Sequence, residues 1–189
     1  MSGHSKWSTI KHKKAANDAK RSAVFNKIAR AITIEARQGG GDINANYALR
    51  TLVEKAKGLN MPKDKIETAT KKGTGELKDN ARLEELLIEG FGPGGVALLI
   101  KAITDNRNRT VSEIKHLLDQ TGAKFTGENS VRWMFKQELR ENEEGHKAME
   151  WIPQNTIKSS DADAQKLEKL YEALDDQDDV QEVYSNEEY

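Results

Sequence analysis

Glu89-Gly90-Phe91-Gly92-Pro93-Gly94-Gly95-Val96 is the stretch on which the fold turns. Its Gly90-x-Gly92-x-x-Gly95 spacing matches the dinucleotide fingerprint, which needs a strand before it and a helix after it so that a pyrophosphate meets a helix N-terminus. After Gly95, however, comes Val96-Ala97-Leu98-Leu99-Ile100, an apolar run of strand type, and Pro93 favours a turn. The stretch therefore reads as a hairpin loop joining a strand at Leu86-Leu87-Ile88 to a second from Val96 to Ile103. No Gly-Lys-Ser/Thr comes after the glycines, so the stretch is not a P-loop either.

Downstream, a helix from about Arg107 to Gln120 turns Val111, Ile114, Leu117 and Leu118 to one face and stops at Gly122. Val131 to Phe135 reads as a third strand. Residues 136–150 are charged and aperiodic and read as a loop or irregular connection. A helix from about Asp161 to Leu174 and a short strand from Val180 to Tyr184 complete the order β-β-α-β-loop-α-β, which fits a small sheet with helices on one face.

Upstream the period is helical. A first helix runs from about Thr9 to Arg37 and ends at Gly39-Gly40-Gly41. Phe25, Ile28, Ile32 and Ala36 give its second half a packing face, whereas residues 1–22 carry almost no apolar stripe and read as a projecting basic arm. A second helix, about Ile43 to Lys57, ends at Gly58; a third begins near Pro62 and ends at Gly73. Gly73-Thr74-Gly75 then makes a linker. The expected class is α+β: a three-helix bundle over residues 1–76 followed by a small α/β sandwich over 77–189.

Charge divides along the same line. Residues 1–78 contain 17 Lys and Arg against 7 Asp and Glu, and residues 79–189 contain 13 against 24, so the net charge of −1 hides two opposed halves. The 189 residues include no cysteine, which removes disulfides, thiolate zinc sites and thiol nucleophiles and suits a reducing cytosol. The apolar runs are too short to span a membrane, and the N-terminus lacks the apolar core of a secretory signal, so a cytoplasmic protein is expected.

Within the basic half, Lys6, Lys13, Lys20 and Lys27 recur every seven residues. On a helix that makes a stripe drifting only ~20° per heptad. Lys11, His12, Lys14, Arg21 and Arg30 add to it, and residues 1–30 hold eight Lys and Arg against the single acid Asp18. A solvated helix face is the bland reading of such a run; the scarcity of packing residues favours a surface that tracks phosphates. Trp7 among these cations either stacks on an exposed base or caps the bundle. Arg107 and Arg109 flank the start of the Arg107 helix, where free N–H groups suit an anion, and give a second candidate phosphate contact. Asn or Asp capping is the structural alternative in Asp105-Asn106-Arg107-Asn108-Arg109-Thr110.

Catalysis finds little support. His4, His12, His116 and His146 have no metal-ligand spacing, and Glu113 with His116 reads as a surface pair. Asp175-Asp176-Gln177-Asp178-Asp179 lacks calcium-loop spacing and reads as a solvated turn. No enzyme activity, cofactor or metal is expected.

Several motifs together closely resemble the YebC/PmpR family: Gly3-His4-Ser5-Lys6-Trp7, Ile10-Lys11-His12-Lys13-Lys14-Ala15-Ala16, Asn60-Met61-Pro62-Lys63-Asp64, Glu89 to Val96, Thr104 to Thr110, Trp133-Met134-Phe135 and Ile152-Pro153-Gln154-Asn155-Thr156. The resemblance covers about residues 1–135 and 151–186. It implies an N-terminal three-helix domain followed by α/β domains, acting in the bacterial cytoplasm or in mitochondria. Members are described as DNA-binding transcriptional regulators or as ribosome-associated translation factors that relieve stalling. Two departures mark this chain. Only Lys136 to Trp151 fill the place where members carry a further α/β domain, and Asn129-Ser130-Val131 replaces the usual Gly-Ser-Val. Asparagine is the next best occupant if that position requires a positive φ.

The combined reading is a regulator whose arm and bundle grip a phosphate backbone, with rRNA or the ribosome as partner in the first reading and DNA in the second. A protein-interaction adaptor using the acidic half is a third. No helix-turn-helix or zinc finger offers a reader of base edges. If the basic stripe neutralises about six phosphates, the log–log salt slope of binding to duplex is about −5; a slope near zero in salt titrations would contradict the stripe as a phosphate contact.

Overall fold

A computed structural model describes residues 18–77, 82–141 and 147–188, with side chains from Arg21 and, after the second break, from Met149. Three helices come first: α1 (Asp18–Gly39), α2 (Tyr47–Gly58) and α3 (Lys63–Thr74). Gly40, at φ +82°, lets the chain leave α1 in a conformation that a side chain would resist. The turn into α2 is fixed by buried Asn46. Its side chain accepts from Leu49 N at 3.0 Å as an N-cap and donates to the carbonyls of Glu35 at 3.0 Å and Gly40 at 2.9 Å. That cap explains why α2 begins four residues later than the apolar pattern suggests.

Ile28, Ile32 and Ala36 of α1 pack with Leu49, Val53 and Ala56 of α2 and with Met61, Ile66 and Ala69 around α3. Full burial of each large aliphatic chain is worth about 1.5–3 kcal/mol. α3 crosses α1 closely at Gly73, where a Cβ would lie 2.4 Å from the Thr33 carbonyl oxygen and 2.7 Å from the Ala36 Cβ. Thr33 bonds from the same place, donating to Ala29 O and Ala69 O.

The second unit contains a four-stranded antiparallel sheet in the order β3-β1-β2-β6, with β1 (Glu84–Phe91), β2 (Ala97–Thr104), β3 (Lys124–Phe125) and β6 (Val180–Ser185). β1 and β2 pair along their whole length, from Glu84 opposite Thr104 to Phe91 opposite Ala97. The glycine-rich stretch between them is a loop containing a 3-10 turn at Pro93–Gly95, closed by Gly92 N donating to Val96 O at 2.7 Å. Gly94 and Gly95 have φ of 72° and 78°, so the glycines serve the turn. A strand, not a helix, comes next.

α4 (Arg107–Gln120) and α5 (Asp161–Asp176) cover one face of this sheet. Leu86, Ile88, Leu98 and Ile100 meet Ile114 and Leu118 of α4 and Leu167, Leu170 and Leu174 of α5. The opposite face presents Ala97 and Leu99 to Val131 and Phe135, with Trp151 and Tyr184 packed alongside. Period-two alternation along β2 thus serves two cores. α4 keeps the bounds read from the sequence, and the Asn106 side chain caps it by accepting from Arg109 N at 3.1 Å.

Two expectations need correction. Val131 to Phe135 is not a full strand: Arg132–Met134 form a 3-10 turn, and the strand begins at Phe135. The cause is Glu89, a buried carboxylate that accepts from the backbone N–H groups of Asn129 and Val131 at 2.8 Å and Arg132 at 3.0 Å. It gathers three donors that a sheet ladder would otherwise need. Asn129, the residue in place of the family glycine, has φ 63°.

Residues 136–150 are not an irregular connection either. β4 (Phe135–Glu141) and β5 (Lys147–Pro153) pair antiparallel from Phe135 opposite Pro153 to Glu141 opposite Lys147. Most of this ribbon is solvated, with Leu139 63% and Met149 55% exposed. Apolar alternation is therefore weak, and charges such as Lys136 and Glu138, 2.6 Å apart, occupy the other face.

The close crossing at Gly73 makes a test. Alanine there gains about 1 kcal/mol in helix propensity, but its methyl would overlap backbone of α1. Gly73→Ala should lose about 1–3 kcal/mol net in urea unfolding; an unchanged or higher midpoint would mean that α1 and α3 can separate at no cost.

Candidate nucleic-acid interface

The sequence places its binding charge on the first helix, and the structure describes part of that helix. Lys6, Trp7, Lys11, His12, Lys13 and Lys14 lie outside the described residues, and Lys20 lies in the first turn of α1. Arg21 is exposed on α1. Lys27 and Arg30 sit on the side of α1 turned toward the acidic unit.

Lys27 Nζ donates to Asp175 O at 2.7 Å and lies 4.0 Å from Asp175 Oδ1; only 12% of its side chain is exposed. Arg30 donates to Asp179 Oδ1 and, at 3.1 Å, to the carbonyl of Ile103. Arg109 approaches the same carboxylate from the N-terminal turn of α4, at 3.0 Å from Asp179 Oδ2, and also bonds Asp105 at 2.9 Å. Thr110 Oγ1, fully buried, donates to Asp179 Oδ2. Arg107 is more exposed and makes a 3.5 Å contact with Glu128.

Asp179 is therefore no part of a solvated turn, as its acidic neighbourhood suggested: it is 2% exposed. The run folds as it does because α5 extends to Asp176 and Gln177 caps the turn into β6. The Gln177 Oε1 accepts from Asp179 N at 2.6 Å and Val180 N at 3.1 Å. Asp179 O then accepts from Ile103 N at 2.8 Å, at the end of β2. Nothing in five consecutive acids and amides marks which one turns inward. The signal lies in Arg30, Arg109 and Thr110, which are far from Asp179 in sequence.

Burial opposes ionisation of Asp179, but hydrogen bonds from Thr110, Arg30 and Arg109, with the charge of Arg30, outweigh it. They hold the carboxyl at about 2, below its ordinary 3.8. The geometry thus joins the two units by a buried anion between cations from each. It also engages Lys27 and Arg30 at the junction, whereas Arg109 reaches the same carboxylate from the surface and Arg21 and Arg107 stand exposed. Among the described residues no three His, Asp or Glu side chains gather as a metal site, and no helix there is long and apolar enough to cross a membrane.

Because Asp179 titrates lower in the folded chain than in the unfolded one, it stabilises the fold above about pH 4, and that contribution disappears as pH falls from about 4 to 2. Asp179→Asn should cost about 2 kcal/mol at pH 7, with the gap to the native protein closing by about pH 2. Urea unfolding across this range checks it; a gap independent of pH would contradict the ionised latch.

Comparison with known proteins agrees with this architecture. Residues 5–76 match the TACO1/YebC protein N-terminal domain, and residues 83–140 and 136–187 match the TACO1/YebC second and third domain. A "probable transcriptional regulatory protein" of Petrotoga mobilis is 44% identical over 237 residues, covering 98% of this chain and 94% of the relative. One of Kosmotoga olearia, with the same description, is 42% identical over 239 residues, covering 98% and 94%. These alignments are longer than the 189 residues here, so the relatives contain residues without a counterpart in this chain. The crystal structure of a conserved hypothetical protein from Aquifex aeolicus superposes with a TM-score of 0.84 at 33% identity, covering 97% of each chain. The chain belongs to the TACO1/YebC family.

Proposed function

We propose that this protein is a non-catalytic regulator of gene expression that binds nucleic acid through its basic N-terminal half, and that it acts on translation by contacting rRNA in the ribosome. The observation that carries the reading is the segregation of charge along the chain: 17 Lys and Arg against 7 acids in residues 1–78, and the reverse excess beyond. Acids of the second unit neutralise one side of α1, at Lys27 and Arg30. Exposed cations elsewhere on the helical unit face solvent, where a polyanion can reach them, and such contacts dominate affinity for nucleic acid without selecting sequence.

A phosphate-gripping surface with no recognisable reader of base edges suits a folded RNA better than a short DNA operator. The DNA-binding transcriptional reading is favoured by the description of the Petrotoga and Kosmotoga relatives as probable transcriptional regulatory proteins. The two matched segments of the second-and-third-domain family meet at the β4–β5 ribbon. On this reading it leaves the nucleic-acid grip in the N-terminal half intact.

Ribosome co-sedimentation from lysate at physiological salt tests the proposal. The native protein should pellet with ribosomes, and a variant with Lys11, Lys13, Lys14, Lys20 and Arg21 changed to Glu should stay in the supernatant. A native protein that stays in the supernatant yet binds duplex DNA with a sequence preference would overturn the translation reading in favour of transcription.

A further inference from the structure

Between α1 and α3 an open groove of about 470 Å³ ends against Leu83 and Asp105 of the second unit. Its rim is polar and exposed: Asn26 and Arg37 on α1, and Lys65, Thr68 and Lys72 on α3. The three α3 residues lie at i, i+3 and i+7, so one helix face carries them. Its floor is apolar and includes the half-buried ring of Phe25 beside buried Met61 and Ala69.

The charge in the groove is one-sided. Among the described residues that line it, Arg30, Arg37, Lys65 and Lys72 stand against one carboxylate, Asp105, which already pairs with Arg109 at 2.9 Å. Arg30 is engaged by Asp179. Among the described residues neither Arg37 nor Lys65 meets a carboxylate. Arg37 gives one N–H to the Leu83 carbonyl at 2.6 Å, and four of its five donors remain. Lys65 Nζ lies 5.8 Å from the centroid of the Phe25 ring. The contact is electrostatically favourable, keeps the ammonium over the groove, and neutralises nothing.

We propose that this groove is a binding site for an unpaired nucleic-acid strand, its phosphates on Arg37, Lys65 and Lys72 and a base or sugar face against Phe25 and Met61. The inference rests on the nucleic-acid reading above and names the place and the form of the ligand. A cationic rim along a partly aromatic floor is the combination that holds single strands without regard to sequence. The volume is that of a small-ligand cleft, enough for a nucleotide or two and too small for a duplex. The site is concave and is formed by two helices, α1 and α3. The sequence hides it because Arg37 and Lys65 are 28 positions apart and read as separate surface charges.

Fluorescence anisotropy with a short labelled oligouridylate tests it on the full-length protein. The groove variant Arg37→Gln, Lys65→Gln, Lys72→Gln is compared with a charge-matched control, Lys55→Gln, Lys57→Gln, Lys71→Gln, whose positions are exposed and outside the groove. Thermal melts confirm that both variants fold. The groove variant should bind about tenfold more weakly or worse, with a salt slope shallower by about 2, and the control within about threefold of the native protein. A parallel titration with oligothymidylate tells an RNA-selective groove from one that takes either unpaired strand; in both cases the loss must follow the groove substitutions.

Equal losses in both variants would overturn the groove and leave the nucleic-acid reading standing. A native protein that binds neither oligomer at low salt would overturn that reading and the groove with it. If labelled oligoglutamate binds the native protein but not the groove variant, while oligouridylate affinity is unchanged, the groove takes an acidic protein segment and the proposal is wrong.

Discussion

A buried carboxylate must find cations or hydrogen-bond donors, or give up its charge. Asp179 finds Arg30 from α1 and Arg109 from α4, and the Thr110 hydroxyl completes its shell. Its backbone carbonyl takes the Ile103 amide at the end of β2, so the residue that binds the helical unit also positions the edge strand β6. One residue therefore takes part both in the contact between the units and in the edge of the sheet. Lys27 on Asp175 and Arg37 on the Leu83 carbonyl extend the junction along α1.

This junction gives the opposed charges of the two halves a structural meaning. A helix as basic as α1 would repel its own unit if every cation faced the same way. Instead Asp175 in the last turn of α5 and Asp179 just beyond it take up Lys27 and Arg30, and a near-neutral protein keeps its exposed helical-unit cations facing outward. The same docking sets Leu83 and Asp105 against the end of the α1–α3 groove.

The sequence was most legible where local chemistry decides. The glycine-rich hairpin followed from an apolar run after Gly95, α4 from Asn106 and Gly122, and the left-handed Asn129 from its place in a motif that usually has glycine. It was least legible where a residue's role depends on distant partners. Glu89 lies in a strand that reads as apolar, yet it collects three amides from residues 129–132 and so converts an expected strand into a turn. Asp179 is indistinguishable from its acidic neighbours until Arg30 and Arg109 are brought to it. The β4–β5 ribbon escaped because a ribbon exposed on most of its surface need not alternate apolar with polar. For the interface, composition located the charged half but not which of its cations turn inward: Lys27 and Arg30 are bound at the junction with the acidic unit, and the groove residues Arg37 and Lys65 were not singled out.

The central claim is that nucleic acid meets the basic helical half while the acidic half faces away from it. Ultraviolet cross-linking of the protein to RNA in lysate, followed by mass spectrometry of the cross-linked peptides, tests it most directly. The account predicts cross-links confined to residues 1–78, with rRNA as the attached species. Cross-links concentrated on the sheet unit, or none at all under conditions that cross-link a known RNA-binding protein, would contradict it.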